Sequence, residues 1–418
     1  MHDNEETPEQ SANEHRMHQR LQYAILLASF STVVITAGLP LYSTSVGANG
    51  LQVGELFAIG ALMTSLARPV VGRALDTYGR KPFLLLGIAI MAVSMLLFAA
   101  SQEVSMLLIA STAQGLGIGT LLLSAYAMTA DLTMRGGRGG SFGSTEQSQY
   151  RGGLYGALAA IPILFLTGFT PQGQLRITPL AWALMFMVYA LACLVAFVLA
   201  LLGISETYNV VVRHETPIEP AASSKINPQI YVLMAIVALT SASSSGIAPF
   251  ILKYIQDHIT QDVSLIALAY LPAAVVWGFF PSRMGVIADR FGRKLPMALG
   301  LIVSGIFSAF IPFLTTIFPL MVFATVEAIC YSAAVPAEQA LVADMTGGKQ
   351  RGVGFGLYTF GLSGGRIVGP LVMGWLYDQF RSGPFVANAV ILIIGTMLVL
   401  TWLRDTARAP SRQEITSI

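Results

Sequence analysis

Twelve runs of about twenty apolar residues dominate this 418-residue chain, and no other feature limits its fold so severely. They cover approximately residues 21–43, 51–71, 82–101, 104–130, 151–169, 179–204, 229–252, 263–282, 295–314, 317–342, 353–377 and 383–403. An α-helix rising about 1.5 Å per residue needs about 20 such residues to cross the hydrocarbon core of a bilayer. Helix also satisfies its own backbone N–H and C=O groups in lipid, whereas barrel strands would be shorter and would alternate in polarity. Only 11% of the residues are charged, against about a quarter in soluble domains, so most of the surface must face lipid. The first run follows a polar tail and lacks a small-residue cleavage site, so it reads as a retained helix. The expected class is an all-α membrane protein with twelve transmembrane helices.

Basic residues set the expected orientation. With a cytoplasmic N-terminus, 20 of the 24 lysines and arginines fall on the cytoplasmic ends and loops. The opposite face holds Arg176, Lys253 and Arg381, and Arg366 lies inside a helix. Both termini are therefore expected in the cytoplasm. A net charge of +2 that follows topology in this way gives no reason to expect nucleic acid as a partner. Cys193 and Cys330 fall within spans and give no disulfide framework or metal set, and no cofactor is called for. An enzyme would need a nucleophile, a metal or an acid–base pair, and the histidines and cysteines offer no such arrangement. The phosphate-binding loop of an ATP-driven pump is also missing.

The chain repeats itself. "GRALDTYGRK" at residues 72–81 returns as "GVIADRFGRK" at 285–294, both reading G-x-x-x-D-x-x-G-R-K between apolar runs. The offset from Asp76 to Asp289 is 213 (289 − 76), and it also carries Gln114 to Glu327 and Asp131 to Asp344. Arg151-Gly152 echoes Arg351-Gly352, and Gly38-Leu39-Pro40 echoes Gly246-Ile247-Ala248-Pro249. Two six-helix halves in the same orientation follow: a tail at 1–20, a bundle at 21–204, a polar proline-containing linker at 205–228, a bundle at 229–404 and a tail at 405–418. Parallel repeats of this kind are a transporter architecture, with the substrate held near mid-membrane.

With the decapeptide duplicated in loops 2–3 and 8–9 of a twelve-span frame, the chain resembles the major facilitator superfamily over nearly its whole length. The resemblance implies two pseudo-symmetric bundles and alternating access. It also implies a cytoplasmic gate built from Gly72, Asp76, Gly79, Arg80, Lys81 and Asp131, with Gly285, Asp289, Gly292, Arg293, Lys294, Asp344 and Arg351 in the second half. Plain positive-inside topology is the competing reading, although it would not require the matched aspartates.

Ionisable groups inside spans cost about 2.5–3.5 kcal/mol each even on permissive scales, so they are functional candidates. Glu327 in span ten and Arg366 in span eleven fall at similar depth. They could form a proton-carrying pair or a fixed structural one. Glu338, eleven residues beyond Glu327, reads as rim structure. Polar and aromatic positions at helical spacing supply the cavity candidates Thr32, Thr36, Gln114, Tyr126, Ser244, Tyr270, Trp277 and Tyr331. The serines at 241 and 243–245, before Gly246, lead us to expect an unwound or kinked outer part of span seven.

Drug–proton antiporters of the superfamily carry a pattern l-x-x-x-R-x-x-Q-G-x-G in span four. Here "LLIASTAQGLGIG" keeps Gln114, Gly115 and Gly117 but places Ser111 at the arginine position. Their span five carries a glycine–proline element, and here Pro162 follows an isoleucine. "LARPVVGRALDTYGRK" resembles the arginine–proline variant of bacterial efflux members. The expectation is a monomeric, multi-pass inner-membrane transporter exporting a small organic substrate against protons. A sugar or organic-acid importer is the alternative, and a transporter-like sensor a remote one.

Overall fold

The computed structural model describes residues 8–132, 138–167, 178–207, 228–279, 294–345 and 351–403. The chain divides into two compact units, Met1–Pro217 and Ile218–Ile418. Every regular element among the described residues is helical. Unit one holds α1 (Pro8–Ala28), a π-helical turn (Val34–Gly38), α2 (Leu39–Ser45), α3 (Gly50–Tyr78), α4 (Lys81–Ala100), α5 (Val104–Asp131), α6 (Arg138–Thr167) and α7 (Pro179–Gly203). Unit two holds α8 (Pro228–His258), α9 (Val263–Phe279), α10 (Lys294–Phe310), α11 (Ile317–Met345), α12 (Arg351–Gln379) and α13 (Gly383–Trp402). Eight of these helices are long and apolar enough to cross a membrane.

The two units pack by one plan. In unit one α5 lies against α3 and α4, α4 also meets α7, and α6 lies on α1. In unit two α11 lies against α9 and α10, α10 meets α13, and α12 lies on α8. Core positions correspond at the sequence offset. Leu84 and Ile88 are buried in one core, and Met297 and Leu301 (297 − 84 = 301 − 88 = 213) in the other. The close approaches correspond as well. A Cβ on Gly87 would stand 2.5 Å from the Leu121 backbone nitrogen, and one on Gly300 would stand 2.7 Å from the Ala334 Cβ, again at 213 (300 − 87 = 334 − 121).

On the other seam a Cβ on Gly156 would meet the Phe30 carbonyl at 1.9 Å, and one on Gly369 would meet the Ala242 carbonyl at 2.0 Å. Small residues at four-residue spacing let these backbones touch where lipid offers no hydrophobic drive to association. At the far end from the decapeptide, each unit pins its first membrane helix with a tyrosine. Tyr42 donates to the carbonyls of Phe98 (3.2 Å) and Ser101 (2.5 Å), and Tyr254 donates to that of Pro312 (3.3 Å).

Two expectations need correction. Serine-rich span seven is not unwound but continuous helix from Pro228 to His258, with Pro249 inside it. Gly246 seats it so tightly on α12 that a Cβ there would lie 2.7 Å from the Gly369 carbonyl. The interruption is in span one instead, where α1 stops at Ala28 and the chain passes through a π-helical turn before Pro40. Proline cannot donate to the preceding turn, and the wider turn accommodates that loss. The Arg-Gly echo is likewise not a structural equivalence. Gly152 packs on the carbonyl of Leu26 and Gly365 on that of Ala238, in step with Gly156 and Gly369 (365 − 152 = 369 − 156 = 213). Arg151 is therefore level with Gly364. Arg351 opens α12, whereas Arg151 lies thirteen residues inside α6 (151 − 138).

Candidate functional site

The first decapeptide closes around an anion. α3 ends at Tyr78, and Gly79 turns the chain at φ +96°, a conformation open to glycine. Pro82 in the first turn then starts α4, where a missing N–H costs nothing. The leading N–H groups of α4 have no partner within the helix and carry its positive dipole end. Glu206, just beyond α7, fills that place: its Oε1 accepts from the Arg80 N–H at 2.8 Å and its Oε2 from the Lys81 N–H at 3.0 Å. A Cβ on Gly79 would stand 2.6 Å from Glu206 Oε2, so glycine is needed there for space as well as for φ.

The side chains extend the network. Arg80 Nε donates to Asp131 Oδ2 at 2.7 Å and Nη2 to Oδ1 at 3.4 Å, a two-pronged pair at the end of α5. Thr207 donates to the same Oδ2 at 2.9 Å, and Lys81 Nζ caps the Leu201 carbonyl of α7 at 2.9 Å. The loop thus ties together the ends of α3, α4, α5 and α7. Glu206 and Thr207 were not singled out from the sequence. Their signal is the acidic-hydroxyl pair immediately after span six, in a stretch that reads as linker.

In unit two the matching lysine does the same work, Lys294 Nζ capping the Leu400 carbonyl at 2.7 Å. Gly285, Asp289, Gly292 and Arg293 lie outside the described residues, as do the side chains of Asp76, Asp344 and Arg351. Gly72 sits in α3, where a Cβ would make an ordinary contact with Leu123 at 3.8 Å.

Glu327 lies ten residues into α11 (327 − 317), about 15 Å along the helix at 1.5 Å per residue. Its Oε1 accepts from Ser304 of α10 at 2.6 Å. The expected partnership with Arg366 is not formed: among the described residues no carboxylate pairs with Arg366, whose side chain is exposed. Depth was similar but direction was not, because α11 packs chiefly on α10 and α9 while α12 packs on α8. Arg366 acts electrostatically on Tyr331 and Tyr358 instead.

Several cavity candidates do converge beside Glu327. Tyr331, one turn on, donates to Ser244 of α8 at 3.4 Å, and Trp277 of α9 meets its ring edge-on at 6.0 Å. Tyr270 of α9 is within electrostatic reach of Glu327. Together these groups place an ionisable carboxyl beside aromatic faces, the chemistry that attracts a flat organic cation.

Among the described residues of unit one the matching position holds no ionisable group. Gln114, the counterpart of Glu327, is only 8% exposed and accepts from Ser94 of α4 at 3.2 Å, so it belongs to the α4–α5 seam and not to a cavity. Thr36 donates to the Thr32 carbonyl at 2.8 Å, while the buried Thr32 hydroxyl has no hydrogen-bond partner among the described residues. Tyr126 is half-buried on α5.

The sequence profile described as Major Facilitator Superfamily matches residues 23–283 and 233–417 of this chain. Among curated proteins, "Multidrug resistance protein 2" of Bacillus subtilis (strain 168) is 22% identical over 92% of this chain and 96% of its own length. "Multidrug resistance protein MdtG" of Enterobacter lignolyticus (strain SCF1) is 26% identical over 93% of this chain and 92% of its own. A solved bacterial homologue of the human lysosomal transporter Spinster, in an inward-facing and occupied conformation, superposes with a TM-score of 0.71. It shares 16% identity over 97% of this chain and all of its own. The twelve-helix expectation therefore stands, and so does that of a multi-pass membrane transporter with no enzymatic chemistry. By the profile that spans both of its halves, this chain belongs to the Major Facilitator Superfamily.

Proposed function

We propose that the protein is a proton-coupled exporter of small organic, drug-like cations, working as a monomer in the inner membrane with both termini in the cytoplasm. The observation that carries this reading is Glu327, a carboxyl deep in α11 whose contact among the described residues is a serine hydroxyl and not a fixed cation. Serine can donate to a carboxylate or accept from a carboxylic acid. Both protonation states of Glu327 therefore keep a hydrogen bond, as a site that loads and unloads a proton requires. Tyr331, Trp277 and Tyr270 give a cationic aromatic substrate faces to stack on when the carboxyl is ionised. The multidrug-resistance names of the relatives favour export over sugar or organic-acid import. The decapeptide network is the gate that binds the helix ends of each bundle in one state of the cycle and frees them in the other. Asp76, Asp289, Asp344 and Arg351 belong to that gate by their place in the repeat.

The test is accumulation of a fluorescent cationic dye in cells expressing wild type, Glu327→Gln or Asp76→Asn, with and without a protonophore. Wild type should lower accumulation, the protonophore should abolish that, and Glu327→Gln should fail while reaching the membrane normally. A Glu327→Gln variant that pumps as well as wild type removes the coupling role. A wild type that moves no dye removes the cation reading and points to organic acids, sugars or metabolite export.

A further inference from the structure

A cleft of about 370 Å³ opens between α1 and the last turn of α7, lined by Arg20, Tyr23, Leu199, Leu202 and Gly203. The bond from Lys81 Nζ to the Leu201 carbonyl marks this as the decapeptide end of α7. That helix has 25 residues, about 37 Å at 1.5 Å per residue, against about 30 Å of hydrocarbon in a bilayer. Its last turn, with Leu202 and Gly203, therefore lies at the level of the lipid headgroups.

Arg20 is held in place at that level. Its Nη1 donates to the Gly203 carbonyl at 2.9 Å, one of the acceptors that a helix end leaves without an intrahelical partner. Its stem lies across Gly203, where a Cβ would stand 3.1 Å from Arg20 Cδ, so the absent side chain makes the seat. A guanidinium carries several further N–H donors in a planar fork that fits paired phosphate oxygens. Tyr23 stands three residues along α1 and so shares the face of Arg20. Its ring is exposed, as are Leu199 and Leu202, the last at 81%. A fixed cation, a phenol and bare aliphatic surface at headgroup depth match the parts of a phospholipid: phosphate, ester oxygens and acyl chain. Arg20 makes the lining cationic, which favours a lipid of net negative charge over a zwitterionic one.

We propose that this cleft binds an anionic phospholipid of the leaflet on the decapeptide side, with Arg20 on its phosphate and an acyl chain along Leu199 and Leu202. The bound lipid braces α1 against the end of α7, three residues before Glu206 (206 − 203), whose carboxylate seats the first N–H groups of α4. The site stands apart from Glu327 and does not depend on its role.

Native mass spectrometry of the purified full-length protein in detergent counts bound lipid directly. Wild type should hold phosphatidylglycerol more tightly than phosphatidylcholine of the same chains. Arg20→Gln should weaken that binding by about tenfold, as loss of a charged hydrogen bond does. Leu202→Glu, a change on exposed surface, should weaken it as much, by repelling the phosphate or by engaging Arg20. It decides the matter if Arg20→Gln does not fold. Arg73→Gln, which removes an exposed arginine of the decapeptide itself, should leave binding unchanged. Wild-type binding in the folded Arg20 and Leu202 variants overturns the site. Equal loss in Arg73→Gln overturns it as well, since any cation of that face would then serve. Equal affinity for the two lipids overturns the preference for an anionic headgroup. Displacement of the lipid by an equal concentration of inorganic phosphate would make this a site for soluble anions and overturn the lipid assignment.

Discussion

Gln114 and Glu327 occupy the same place in two copies of one bundle, and they differ in that only the second can carry a charge. Each lies on the central helix of its unit, and each accepts a hydrogen bond from a serine on the helix before it: Ser94 at 3.2 Å in unit one, Ser304 at 2.6 Å in unit two. In unit one the acceptor is a neutral amide, 8% exposed, and its serine also donates to the Ala110 carbonyl at 3.0 Å. That contact ties two helices together and holds no titratable proton. In unit two the acceptor can be charged or neutral, and tyrosines and a tryptophan stand beside it. The two serines stand about one turn apart in the repeat (304 − 94 = 210, against 213 for Gln114 and Glu327), and of the two acceptors only Glu327 can hold a proton.

The comparison breaks first where the copies should be equal. Gly156→Ala and Gly369→Ala each drive a methyl into a carbonyl about 2 Å away on the facing helix. We expect both to destabilise strongly and by similar amounts, of the order of 1–3 kcal/mol or more by overpacking, read as loss of folded protein on heating in detergent. A large effect at one seam alone would deny the shared packing plan. Gly79→Ala comes next: it meets both an unfavourable φ and the Glu206 carboxylate, and strain of this kind costs about 1–3 kcal/mol. Glu206→Ala in the same background should recover part of that loss, because it removes the clash and leaves the φ penalty.

Where the copies differ, the expected effects are smaller in stability and sharper in function. Ser94→Ala should cost about 1 kcal/mol, the worth of an ordinary buried hydrogen bond, and leave the pH dependence of transport alone. Ser304→Ala should shift that pH profile while costing no more stability than Ser94→Ala. The same profile in both variants would make Glu327 as structural as Gln114. Smallest of all is the loss of stability in Asp131→Asn, at most about 1 kcal/mol for a partly exposed pair. Its signature should be an altered transport rate through the Arg80 network.

Much of the scaffold is legible in the sequence. The offset of 213 brings Gln114 onto Glu327 and Leu84 onto Met297, and the packing respects both. Span lengths fix depth equally well. Rotation about the helix axes is not legible, and it decides who meets whom. Glu327 and Arg366 are near in depth, yet α11 turns the carboxyl to Ser304 because its main neighbours are α10 and α9 and not the helix that follows it. Glu206 is hidden for another reason: its ligands are backbone N–H groups, which have no residue signature. The unwinding suggested by the serines of span seven does not occur, because the helix runs on there in close glycine packing, and the π-helical turn before Pro40 interrupts span one.

The most direct measurement compares two modes of transport by Glu327→Gln in proteoliposomes: dye uptake driven by a proton gradient, and dye-for-dye counterflow with no gradient. The substitution gives unit two the amide that unit one already carries, so the account predicts that counterflow persists while proton-driven uptake falls to background. Proton-driven uptake at the wild-type rate would contradict it.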